Sequence, residues 1–212
     1  MNYKEHILEA LRKAKLCESK LTYDAFQTPG FTSPKIRHLL NNVGSCDELN
    51  YLEIGVHKGG TFVSALYKNN MKSATAVDNW SEFAYDGASR KEFFENCSRC
   101  LDCQYNVIER DCFSLTKNDF PAPINFYFYD GCHTYEAQYK ALSYFYDLLD
   151  TQFIFMVDDF KWDATNKGTR KSIEDLKFEI VYEEELMPPV ESPESTEDWW
   201  NGFYVSVLKK PT

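Results

Sequence analysis

No long apolar stretch occurs in this sequence. The longest uninterrupted run, Phe153–Val157, has the length of a β-strand, whereas a helix crossing a bilayer needs about 20 apolar residues. Positive charge is also short: 23 Lys and Arg stand against 33 Asp and Glu, a formal net charge of −10. A surface that negative repels phosphate backbones and anionic lipid, so neither nucleic acid nor a membrane is an expected partner. The opening residues lack the apolar core of a signal peptide. Instead Ile7, Leu8, Leu11 and Ala14 recur at helical spacing and predict an amphipathic helix to Leu16. The seven cysteines are an odd number, which points to reduced thiols and a cytoplasmic setting rather than a disulfide framework.

What is present is a core. Across 212 residues, 43% are hydrophobic and 16% aromatic, enough for one domain that needs no covalent staples. Thr32-Ser33-Pro34 gives a cap followed by proline, the start of a helix to about Asn42. Beyond it, short apolar strands alternate with amphipathic stretches, the pattern of a parallel sheet clothed by helices. Strands are predicted near 49–54, 73–78, 104–109, 124–129, 152–157, 178–183 and 202–209. Helices are predicted near 60–70, 88–101, 133–149 and 169–176. In the 133–149 segment Tyr135, Tyr139, Leu142, Tyr146 and Leu149 form one stripe at helical spacing. Residues 183–200 form an acidic, proline-bearing loop, either disordered or a lid. Trp199 and Trp200 at its end are expected to pack on the sheet.

In an open parallel sheet, ligands bind beyond the carboxyl ends of the strands. After the first strand the chain reads Glu53-Ile54-Gly55-Val56-His57-Lys58-Gly59. A dinucleotide-binding loop requires glycine two positions after Gly55, where a pyrophosphate presses on the backbone; His57 stands there. The spacing, acidic-x-Gly-x-x-x-Gly, resembles motif I of class I S-adenosylmethionine-dependent methyltransferases. The second strand ends in Asp78, an acidic residue able to accept both ribose hydroxyls, and Trp80 either flanks the adenine or packs in the core. The third strand ends near Asp111, which the resemblance sets against the adenine amino group. Glu53, Gly55, Gly59, Asp78, Trp80 and Asp111 are therefore the expected cofactor-binding set. A helix cap is the plain alternative for both Asp78 and Asp111.

The fourth strand leads into Asp130-Gly131-Cys132-His133-Thr134-Tyr135, and the fifth into Asp158-Asp159. Adjacent parallel strands would bring these three carboxylates to one edge, where they repel each other unless a cation joins them. Oxygen ligands favour Mg²⁺ or Ca²⁺, with Mn²⁺ a further candidate. These segments resemble small-molecule O-methyltransferases, including those acting on sugars of macrolide and aminocoumarin antibiotics. The resemblance covers about 49–160 and implies that Asp130, Asp158 and Asp159 hold a divalent metal that binds an acceptor hydroxyl. It also implies a Rossmann-like α/β fold: seven mostly parallel strands, helices on both faces, and the last strand antiparallel. That core spans 46–212, behind an N-terminal helical cap over 1–45. His133 is the preferred base, because imidazole titrates near neutral pH, and Asp130 is the second candidate. The expected acceptor is a hydroxylated small molecule, a sugar or polyol before a phenol or catechol. A homo-oligomer is compatible with the sequence.

Two rivals remain. A nicotinamide-dependent oxidoreductase would share the sheet and the ribose-binding acid, but His57 and the acidic trio speak against it. A non-catalytic binding module would have no need of three clustered acids. Cys97, Cys100, Cys103 and Cys112 lack the paired spacing of a zinc site, so no structural metal is expected there. The basic run 167–171 is read as a solvated helix start.

Overall fold

The computed structural model describes residues 2–82, 87–192 and 195–211. Pro193 and Glu194, inside the predicted acidic loop, lie outside the described residues. Seven strands form one sheet: β1 (Asn50–Ile54), β2 (Ser73–Val77), β3 (Asn106–Ile108), β4 (Ile124–Tyr129), β5 (Leu149–Val157), β6 (Glu179–Leu186) and β7 (Phe203–Lys209). The strand order is β3-β2-β1-β4-β5-β7-β6. Pairs β1–β2, β1–β4, β2–β3 and β4–β5 are parallel, and β7 runs antiparallel to both β5 and β6. The expected fold class, antiparallel last strand included, is the one observed.

Helices α1 (Tyr3–Lys15), α2 (Tyr23–Phe26), α3 (Pro34–Val43), α4 (Gly60–Leu66), α5 (Ala88–Cys100), α6 (Tyr135–Ser143) and α7 (Asp163–Asp175) complete the fold. Alternation along the strands divides the core between two faces. Tyr51, Phe126, Phe128, Ile154 and Met156 pack with Ile7 and Leu11 of α1, Leu39 of α3, Phe62 of α4 and Phe93 of α5. Leu52, Tyr127, Phe153 and Phe155 point the other way, toward Leu142 of α6 and Ile173 of α7. Phe62 is fully buried, with ring centroids 6.0 Å from Tyr51, 5.8 Å from Phe93 and 5.7 Å from Tyr105. Burial of one such ring contributes roughly 1.5–3 kcal/mol.

Several helices differ from the expectation. The predicted stripe of the 133–149 segment is only partly the buried face: α6 stops at Ser143 and buries Ala137, Gln138, Ala141 and Leu142, Leu149 is buried at the start of β5, and Tyr135 is 40% exposed. Small residues there let α7 approach. A Cβ placed on Gly168 would fall 2.5 Å from the Tyr135 carbonyl oxygen, so only glycine allows this crossing, and α7 runs straight through it from Asp163 rather than starting at 169. The tyrosine phenols stay where they find polar partners, as when Tyr144 donates to the Leu115 carbonyl (3.1 Å). On α1, Leu8 is 44% exposed and Ala10 takes its expected place in the core. The short helix α2 was not expected from the sequence pattern.

Candidate active site

The ladder registers align the strand ends. Ile54 pairs with Val77 and with Tyr129, Val77 with Ile108, and Tyr129 with Val157. The next residue of each strand continues the ladder: Gly55 N–H donates to Val77 O (2.9 Å), Asp78 to Ile108 O (3.3 Å), Asp130 to Ile54 O (2.9 Å) and Asp158 to Tyr129 O (3.3 Å). Gly55, Asp78, Asp130 and Asp158 thus stand in one row along the carboxyl edge. They flank the point between β1 and β4 where strand order reverses, the expected ligand crevice of such a sheet. A cavity of about 550 Å³ opens there, lined among others by Gly55, Asp78, Asp111, Asp130, His133, Asp158 and Asp159.

Backbone geometry fixes the glycine loop. Gly55 has φ 87°, and a Cβ there would fall 1.9 Å from the Asp130 carbonyl oxygen, so β1 and β4 approach this closely only with glycine. Asp78 binds the loop from the side: its Oδ2 accepts from His57 N–H (2.8 Å) and its Oδ1 from Trp80 N–H (2.7 Å). Asp111 lines the cavity while also capping the turn Cys112–Ser114, accepting from Phe113 N–H at 2.9 Å. The cap and the ligand-facing positions are therefore compatible.

Glu53, Gly59 and Trp80 do not line the cavity. Glu53 is fully buried between β1 and α4, accepting from the Tyr51 hydroxyl and from Thr61 Oγ1 (2.5 Å), and burial pushes its carboxyl up to about 8. Gly59 turns the chain into α4 at φ 89° and faces Phe93. Trp80 is 7% exposed, packs on Phe93 and Phe94, and donates its Nε1–H to the His57 carbonyl (2.8 Å).

At the β4 and β5 ends the acids converge on His133. Its Nε2 is 2.9 Å from Asp159 Oδ2 and 3.8 Å from Asp130 Oδ1, within ion-pairing range though outside hydrogen-bond alignment. Asp158 lies deeper, its Oδ1 accepting from Asp159 N–H at 2.9 Å. Burial raises Asp130 to about 7 and Asp158 well above the carboxylate range, with neighbouring carboxylates adding to both. Burial would lower His133, but Asp130 and Asp159 outweigh it and raise the imidazole to about 10. The two carboxylates hold its proton. The histidine is itself a cation among the acids. One group of metal-capable side chains converges among the described residues, Asp130, His133 and Asp159, with one ligand atom from each within 4.8 Å of the others. That set contains His133 where the sequence placed Asp158.

Several lining residues were not singled out from sequence. Gly30 and Phe31 come from the segment before α3, Phe113 from the β3 end, and Trp162 from the turn into α7. Trp199 and Trp200 were both expected to pack on the sheet: Trp199 is buried in the core, but Trp200 instead lines the cavity together with Asn201, just before β7. Lys35 of α3 pairs with Asp198 and ties the acidic loop down. Trp162 meets His133 edge-on at 4.9 Å; its position three residues past Asp159 was the available clue. The basic run is spent locally, Lys167 on Asp163, Arg170 on Glu183 and Glu185, and Lys171 on Asp175.

A family model described as a methyltransferase domain matches residues 52–160, just over half of the chain. The chain belongs to this methyltransferase family. The matched segment begins in β1 and ends at Phe160, so it contains every strand-end acid described above. Among solved structures, this methyltransferase is similar to an O-methyltransferase from Bacillus cereus solved with S-adenosylhomocysteine, at 15% identity and TM-score 0.60, covering 99% of this chain and 91% of that one. It is equally similar to TomG, an O-methyltransferase of tomaymycin synthesis from Streptomyces achromogenes solved with S-adenosylmethionine, at 15% identity, TM-score 0.60 and full coverage of both chains. A precorrin 8W decarboxylase from Methanobacterium thermoautotrophicum has the same fold, at 15% identity, TM-score 0.59, covering 89% of this chain and 98% of that one. Curated protein sequences give no match. At such identities the likeness speaks for the fold. No helix among the described residues is long and apolar enough to cross a membrane.

Proposed function

We propose that this methyltransferase moves a methyl group from S-adenosylmethionine to a hydroxyl of a small polar acceptor, a sugar or other polyol, with help from a divalent cation. The observation that carries the reading is the division of one cavity into two chemistries: Asp78 and Asp111 at one end, Asp130, His133, Asp158 and Asp159 at the other. The fold neighbours solved with this cofactor or its product support the first half.

The residues fit the cofactor in the order of the strands. Asp111 and Phe113 would meet the adenine and Asp78 the ribose. The loop from Gly55 to Thr61 would meet the amino-acid end, which leaves the sulfonium methyl facing the β4 end. Glu53 acts behind this surface, holding Thr61 and hence the first turn of α4 to β1. The carboxylates at the other end, Asp130 and Asp159 with Asp158 beside them, suit Mg²⁺, Mn²⁺ or Ca²⁺ and leave the His133 imidazole to handle the proton. Such an ion lowers the pKa of a hydroxyl it binds.

The protein's own part is alignment and proton handling. Methyl transfer is an in-line displacement, so oxygen, methyl and sulfur must be collinear; the shared strand edge sets the two halves at fixed separation. The proton leaving the hydroxyl must reach a base within hydrogen-bond distance. His133 serves once a cation among the carboxylates replaces the charge it now supplies, and Asp130, at about 7, is the second acceptor. Trp162, Trp200 and Phe31 would exclude water around the acceptor.

The test is incubation with methyl-labelled S-adenosylmethionine and a panel of sugars, polyols and phenols, with the product read by NMR. A methyl ether is expected. Label on nitrogen or carbon would contradict the reading, and saturable NAD binding with no transfer would favour the oxidoreductase alternative.

A further inference from the structure

The antiparallel contact between β5 and β7 continues past the last ladder pair. Val157 pairs with Tyr204, and beyond them Phe160 N–H donates to Gly202 O (3.0 Å) and Lys161 N–H to Asn201 O (2.8 Å). Asn201 therefore stands across from the residues that follow Asp158 and Asp159. It lines the cavity, as does Trp162, the residue after Lys161. Asn201 is half-buried and has φ 58°, in a turn closed by Gly202 N–H on Trp199 O (2.8 Å). Its carbonyl is spent on Lys161, while among the described residues its side-chain amide makes no hydrogen bond to the protein.

The turn does not account for that amide. Glycine adopts φ 58° at no steric cost, so the backbone by itself asks for no side chain here. What the position adds is a type of group that is scarce at this end of the cavity. Asp130, Asp158 and Asp159 only accept hydrogen bonds when ionised, and His133 is held between Asp130 and Asp159. An amide both donates and accepts and carries no charge, so it pairs with a neutral hydroxyl. Apolar surface lies beside it on Trp200 and on Trp162, which is 44% exposed. In a site of this kind a few placed polar groups set orientation and specificity.

We propose that Asn201 determines acceptor specificity: its amide hydrogen-bonds a second hydroxyl of the acceptor, one that is not methylated, while the reacting hydroxyl lies at the Asp130–His133 end. The inference rests on the O-methylation reading and narrows it to acceptors that present two hydroxyls from one molecule. A site built to hydrogen-bond a hydroxyl rejects the analogue lacking it, because its own polar group is then left unpaired.

The test uses whichever member of a panel of methyl hexopyranosides and inositols is methylated best, together with its monodeoxy analogues. Wild type should lose about tenfold in kcat/KM, carried by KM, on one analogue deoxygenated away from the methylated position. In Asn201→Gly, which keeps the left-handed turn, the ratio of parent to that analogue should fall to about one through loss on the parent. Its S-adenosylhomocysteine affinity, read by calorimetry, should match that of wild type. Asn201→Ser, whose side chain ends short of the amide, should lower the ratio too and gives the readout if the glycine variant does not fold. An unchanged ratio in a folded variant, equal loss on parent and analogue, or a wild type that treats every analogue alike overturns the inference and leaves Asn201 a turn residue. Methylation of no panel member overturns the polyol reading itself, and the inference with it.

Discussion

Glu53 illustrates how a residue can belong to a motif and yet stand away from the ligand. Its place in the acidic-x-Gly pattern was legible, but its role depends on Tyr51 and Thr61, which no spacing rule links to it. Because burial raises its carboxyl from 4.5 to about 8, the folded state binds its proton more tightly than the unfolded chain. The resulting stability is fully present below about pH 4.5 and is lost as pH rises through 8. Thermal melts should therefore show Glu53→Gln flattening the decline between pH 5 and 9, by a few kcal/mol at most; an unchanged pH slope would mean that Glu53 is ionised when folded. Asp78 is the opposite case, a predicted ligand residue that also holds two main-chain amides. Asp78→Ala should weaken S-adenosylhomocysteine binding by roughly 1.5–3 kcal/mol, measured by calorimetry, and wild-type affinity in the variant would remove it from the cofactor site. His133→Ala should keep cofactor affinity and lose about 10²–10⁴-fold in rate, the usual worth of a positioned base. A smaller loss would pass the role of base to Asp130.

Among the elements, strands were more legible than helices, and for a physical reason. Short apolar runs such as Phe126–Tyr129 and Phe153–Val157 are buried on both faces, and few other structures tolerate that. Helix faces depend on what packs against them. The tyrosines of α6 matched the helical period, but Ala137, Ala141 and Gly168 decide the contact because they let two backbones approach. The N-terminus of α3 was readable from Ser33 and Pro34, and Ser33 Oγ accepts from Ile36 N–H at 3.4 Å. Ser33→Ala should cost about 1 kcal/mol in denaturant unfolding. The acidic loop was recognisable as a loop beyond Leu186, although Glu183–Leu186 continue β6, whereas its attachment through Lys35–Asp198 and buried Trp199 joins residues more than 160 positions apart in the chain. Trp200→Ala should raise KM for the acceptor several-fold without changing S-adenosylhomocysteine affinity. Equal loss of both would place Trp200 on the cofactor side of the cavity.

At the scale of the molecule, the sheet turns scattered sequence signals into one site. Asp78, Asp130 and Asp158 are separated by tens of residues, and register alone sets them in a row. Topology also explains what the sequence could not reveal. Phe31, Trp162 and Trp200 reach the cavity from three segments that strand-end reasoning does not visit, and acceptor choice should depend on them. The acidic cluster was expected to need a metal cation, but His133 places a positive charge among the acids, so the metal has to be tested rather than inferred from repulsion. The decisive measurement is the rate of methyl transfer to a hydroxyl acceptor in excess EDTA, followed by restoration of Mg²⁺. If a divalent ion assists at Asp130, Asp158 and Asp159, the rate should fall on the order of 100-fold or more and return with the metal. An undiminished rate in chelator would contradict metal assistance and leave the imidazolium of His133 as the side chain that balances the acids among the described residues.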